Sequence, residues 1–136
     1  MLKRLSIAEF LGALIDAVEA RTGLRCYSDP NGEKSPFFCA EVLGTEPANT
    51  KTMFVDRFDV RFHCISEAVV PYSKAPAFRR VQALEEALTE DLALPEPFYM
   101  HRQESMGLQT MKKDETGEGH AVLEYSFHVC YGLICK

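Results

Sequence analysis

Four histidines (His63, His101, His120, His128) and five cysteines (Cys26, Cys39, Cys64, Cys130, Cys135) are the side chains best suited to metal or thiol chemistry in this sequence. Zinc needs about four such ligands converging within bonding distance. His63 and Cys64 are adjacent at the end of "MFVDRFDVRFHCI", residues 53–65, where strand alternation sends them to opposite faces. His128 and Cys130 share a face of a later strand, and His101 or His63 is the candidate to approach them. Solvated histidines and small buried thiols account for this pattern, so no metal and no cofactor is expected.

Other catalytic arrangements find no better support. A cysteine nucleophile needs an activating base and an oxyanion-stabilising loop, and no such signature surrounds any of the five thiols. Their odd number, without a Cys-x-x-Cys pair, also argues against a disulfide scaffold. Glu85, Glu86, Glu90 and Asp91 fall on the solvated side of a helix. Gly117 and Gly119 flank Glu118 in an acidic turn that would repel a phosphate. The chain is therefore expected not to be an enzyme.

The elements that would position these residues follow from periodicity. Ser6-Ile7-Ala8-Glu9 fits a capping box, and Phe10, Leu11, Leu14, Ile15 and Val18 form one apolar stripe that Gly23 ends. This predicts a helix over 7–22. "LRCYS" and "FFCAEVL", joined by the turn-rich "DPNGEKSP", predict two strands paired as a hairpin. Residues 44–52, "GTEPANTKT", read as an exposed loop. In residues 53–65, Phe54, Phe58, Val60, Phe62 and Cys64 point one way, broken only by Asp56, and the alternate row is mostly polar.

"AFRRVQALEEALTEDLAL" predicts a second helix with Phe78, Val81, Leu84, Leu88 and Leu92 on its buried stripe, stopped by Pro95. "FYMHRQESM" and "HAVLEYSFHVCYGLI" predict the last two strands, separated by the polar turn "KKDETGEG". The order is α-β-β-β-α-β-β in one domain, residues 1–136. Strand three, helix two and strand four are long enough for a right-handed crossover, which puts both helices on one face of a mixed or antiparallel sheet of about five strands. The fold class is α+β.

The 20 acidic residues against 15 basic ones give a net charge of -5, with no basic stripe to neutralise phosphates. Sequence-specific nucleic-acid binding is not expected. The opening segment reads as neither a signal peptide nor a membrane span, so no membrane partner is expected either. Candidate contact surfaces are the row Arg57, Asp59, Arg61 and His63, the 44–52 loop with Glu46, Asn49 and Lys51, and the turn carrying Lys112 and Lys113.

With the elements in this order, the chain resembles the tail terminator, or tail completion, proteins of long-tailed bacteriophages and prophages. The likeness is carried by the opening amphipathic helix, "SPFFCAEVL" with its polar loop, the aromatic "DRFDVRFHCI", "RRVQALEEALTEDL" and the closing "GEGHAVLEYSFHVCYG". It implies a non-enzymatic assembly protein, made in the bacterial cytoplasm and carried in the virion tail or neck. In that family subunits form a ring, commonly a hexamer, that caps the tail tube, stops its polymerisation and prepares head-tail joining. The implied partners are the protein itself, the tail tube protein and a head-tail connector protein. The alternatives are another neck component of similar fold, a small metal- or thiol-dependent enzyme, and an adaptor that binds peptides at a sheet edge.

Overall fold

The computed structural model of the protein describes residues 2–134. The first helix, α1 (Ile7–Thr22), has the predicted ends. Ser6 Oγ accepts the Glu9 amide at 3.1 Å, the Glu9 carboxylate faces the Ser6 amide, and Gly23 takes a left-handed φ of 77°. These contacts satisfy amides and carbonyls that a helix end otherwise leaves open. α1 buries Phe10, Leu14 and Val18.

Five strands follow in the sheet order β1-β2-β3-β5-β4: β1 (Cys26–Tyr27), β2 (Phe37–Pro47), β3 (Met53–Ile65), β4 (Tyr99–Lys113) and β5 (Gly119–Leu133). β3 and β5 pair antiparallel along their length, from Met53 opposite Leu133 to Ile65 opposite His120. The second helix, α2 (Ala75–Ala87), lies between β3 and β4 in the chain. Both of those strands run antiparallel to β5, so the β3-α2-β4 connection carries the chain across it. The apolar row of β3 faces the helices. Phe10 stacks on Phe58 at 4.3 Å and meets Phe127 edge-on at 5.3 Å, all three fully buried.

Four local expectations are corrected. β1 pairs parallel to β2, Cys26 opposite Phe38, so the expected hairpin does not form. The long 28–36 connection carries the chain back to start β2 in the same direction, which a tight turn cannot do. β2 runs on to Pro47 through an irregularity between Val42 and Gly44, and the connection to β3 shrinks to 48–52. β4 likewise continues to Lys113, and only 114–118 turn.

α2 ends at Ala87 instead of running to Leu94, and Phe78 is exposed, off the buried stripe. Beyond Ala87 the carbonyls find donors elsewhere in the chain. Arg21 Nη1 donates to Ala87 O and Glu90 O at 2.9 and 2.8 Å, and Gln103 Nε2 donates to Leu88 O at 2.8 Å. With those carbonyls satisfied by tertiary contacts the chain leaves the helix, and Leu88 and Leu92 still reach the core.

Asp56, which breaks the apolar row, is buried and explained by Arg4. The Arg4 guanidinium grips both carboxylate oxygens and lies 5.1 Å from the centre of the Tyr131 ring. A buried carboxylate needs such a partner.

At the other end of the sheet, Ser66 and Gly119 exchange hydrogen bonds: Ser66 N donates to Gly119 O at 2.9 Å, and Gly119 N donates to Ser66 Oγ at 3.2 Å. A Cβ on Gly119 would lie 2.7 Å from Ser66 Oγ and 3.0 Å from Ala77 Cβ. Gly119→Ala is therefore expected to destabilise the fold by about 1–3 kcal/mol through overpacking. Urea unfolding should show a lower midpoint at unchanged slope, and an unchanged midpoint would refute the close approach.

Candidate functional site

The face of the sheet turned away from the helices is a half-open, charged surface. Strand alternation puts Arg57, Asp59, Arg61 and His63 of β3 in one row on it, with side-chain exposures of 33, 37, 39 and 25%. Register then decides their partners. Arg61 donates to Glu124 on β5 at 3.1 Å, and Arg57 pairs with Glu46 on β2 and donates to Asp59 at 3.3 Å. On β4, Arg102 pairs with Glu104. Of these groups, Arg57, Asp59, Arg102, Glu104 and Glu124 line an open concavity of about 550 Å³. Leu43 and Met106, at the irregular stretches of β2 and β4, line the same concavity and are 43 and 59% exposed.

The expected contact residues divide into groups. Arg57, Asp59, Arg61, His63 and Glu46 share this face. Asn49 is part of the turn itself: its Oδ1 accepts the Val55 amide at 2.8 Å, while Lys51 is exposed between β2 and β3. Lys112 and Lys113 end β4 instead of sitting on a loop tip, and the Lys113 ammonium lies 5.1 Å from the centre of the Tyr72 ring. The 48–52 and 114–118 turns lie at opposite ends of the sheet, so these lysines are far from Lys51.

His63 finds a partner that sequence reasoning did not give it. Its Nδ1 lies 2.9 Å from His120 Nε2, and its Nε2 lies 3.1 Å from Glu41 Oε1. His120 Nδ1 is 3.6 Å from Asp114. His128, instead of joining His63, meets Ser126 Oγ at 3.2 Å. Glu41, His120, Asp114, Arg102 and Glu104 were missed because their places depend on register and on strand lengths longer than predicted.

Burial lowers the pKa of His120 and of His128 below the usual 6.5, against the pull of Asp114 and Glu104 respectively. The unfolded chain thus takes up protons first as pH falls. Stability from these two imidazoles is complete above about pH 6.5 and is lost as pH drops through their folded values. Thermal unfolding should show the melting temperature falling from pH 7.5 to 5.5, and the double variant His120→Gln/His128→Gln should flatten that slope. An equally steep slope in the variant would exclude these groups as its source.

Cys26, Cys39, Cys64 and Cys130 are buried, and Cys135 lies outside the described residues. Burial pushes the Cys26 thiol up to about 12 and raises Cys39 and Cys64 as well. The thiolate is the nucleophile, so these three should stay unmodified by a maleimide at pH 7.5 and react only after denaturation. Peptide mapping that finds any of them labelled in the native protein would reopen the thiol-enzyme reading.

Comparison with known proteins adds three findings. A family of phage tail terminators, described as "Putative tail termination protein", matches residues 1–136. No curated protein matches the sequence. A chain in the solved virion of a native gene transfer agent particle has a similar fold, with a TM-score of 0.67 at 20% identity, over 92% of this chain and 99% of that one.

Proposed function

Because this chain belongs to the phage tail terminator family and is on that ground a structural protein of the phage tail, we propose that it closes into a ring on the tail tube and ends its growth. The family match along residues 1–136 carries this reading. In it, the ring, commonly six subunits in the family, presents the finished tail to a head-tail connector protein. The subunits are made in the host cytoplasm, and the part played is assembly without catalysis.

The shape of the subunit supports the reading. A closed ring needs two different patches on each subunit, used head to tail around the axis. The charged concavity with its Leu43 and Met106 flanks offers one. Two hairpin turns at opposite ends of the sheet offer others. The concavity's arginines, Arg57 and Arg102, already have acidic partners within the subunit, so it favours a polar, reversible contact over an adhesive one. That suits a subunit that should close only on a tube end.

Electron microscopy with mass measurement, on the protein alone and with tail tubes, tests the proposal directly. A defined ring, free or seated on tube ends, is expected. A strict monomer that never caps a tube refutes it. Binding to isolated head or connector complexes in place of tubes would instead favour a different neck component.

The docking face has its own test. Arg57→Glu with Arg61→Glu should weaken self-association, seen as a lower oligomer mass at equal concentration. Arg57→Gln with Arg61→Gln, which introduces no carboxylate beside Glu46 or Glu124, guards against a folding defect. An oligomer mass unchanged in both variants would remove this face from the interface.

A further inference from the structure

β1 holds only two residues and pairs with β2 only at Phe38 and Cys39. Among the described residues, the outer edge of β2 therefore has no strand beside it over 40–47, and the outer edge of β4 has none at all. Met100 is the one buried residue of β4. Such edges present unpaired amides and carbonyls to any strand that fits them.

Both open runs have marked ends. Pro47 has no amide to donate. On β4 the irregular stretch after Ser105 is closed by its own side chains: Gln109 Nε2 donates to Met106 O and Gly107 O at 3.1 Å, and Gly107 N donates to Ser105 Oγ at 3.1 Å. What stays open is 41–46 on β2 and 99–105 on β4.

Register puts these runs level. Cross-strand lines join Pro47 to Asp56, Val129 and Met100, and Glu46 to Arg57, His128 and Arg102. β2 and β4 run in opposite directions, since β2 is antiparallel to β3, β3 to β5 and β5 to β4. Rotation about an axis along the strands preserves direction, so β4 of one subunit meets β2 of the next as an antiparallel pair, the order the sheet already follows.

We propose that residues 99–105 of β4 add as a strand to residues 41–46 of β2 in a second copy of this chain, carrying the sheet from subunit to subunit. The inference rests on the ring reading and names its contact.

Side chains decide the occupant. In a level joint Arg102 stands across from Glu46 of the partner subunit, and Glu104 stands across from a glycine, Gly44 of the partner subunit, so no like charges meet. Leu43 and Met106, 43 and 59% exposed and lining the same concave face, come together across it. Over their full lengths β2 carries Glu41 and Glu46 with no basic residue, while β4 carries Arg102, Lys112 and Lys113 against Glu104 alone. One chain thus supplies both halves of the joint with opposite charge. Each open run also contains one irregularity, between Val42 and Gly44 and between Met100 and Arg102, which twists an edge away from indiscriminate pairing.

A charge swap on the full chain tests the joint. Glu46→Arg and Arg102→Glu should each weaken self-association by about tenfold, because every joint then sets like charges opposite each other. An equimolar mixture of the two variants should regain the oligomer mass of the unmodified protein, since alternating copies restore opposite charges at every joint. A defect of folding, or of the Arg57 face, would not be rescued by mixing. Self-association unchanged in both variants, or no rescue in the mixture, would overturn the joint.

Hydrogen exchange on the unmodified protein needs no variant to fold. Amides within 41–46 and 99–105 should exchange about tenfold or more slowly in the assembled ring than in the dissociated subunit, and those of the 114–118 turn should not change. A ring that forms with both runs unprotected overturns this inference and leaves the ring reading standing, whereas a strict monomer that never caps a tube overturns both. Protection that appears only when tail tubes are added, without self-association, would assign the edges to the tube protein and overturn the inference.

Discussion

Phe10 between Phe58 and Phe127 is the contact on which the layout of this molecule depends. One aromatic ring on α1 meets rings from the two central strands, and all three are removed from water. Truncating such a residue in a packed core costs about 3–5 kcal/mol, a large share of a small domain's stability. The seat commits α1 to one face of the sheet, and α2 closes the same layer through Val81 and Leu84. With both helices spent there, the other face has no covering layer among the described residues and is left open to solvent.

That face meets the demand by pairing charges across strands. Arg61 with Glu124 and Arg57 with Glu46 each join neighbouring strands at partly exposed positions, where an ion pair contributes little to stability but fixes the direction of two long side chains. The result is a surface ordered without being adhesive, bordered by the exposed apolar residues Leu43 and Met106. The His63–His120 pair continues the same logic at one end of the sheet, where the β3-β5 register sets two ring nitrogens 2.9 Å apart and Glu41 meets the far side of His63.

The sequence alone determined what depends on local chemistry and on period. The capping box and Gly23 set both ends of α1, and alternation in residues 53–65 sent Cys64 into the core and Arg57, Asp59, Arg61 and His63 outward. Tertiary structure alone decided what depends on distant donors and on register. Arg21 and Gln103 take the carbonyls beyond Ala87, so α2 stops seven residues before its predicted last residue, Leu94. The 28–36 connection makes β1 parallel, Arg4 accounts for Asp56, and the β3-β5 register sets His120 where it reaches His63 and not His128. Periodicity assigns each side chain to a face because it is a property of one strand. Which side chains become neighbours on that face is a property of two strands, and nothing within either strand's own sequence states it.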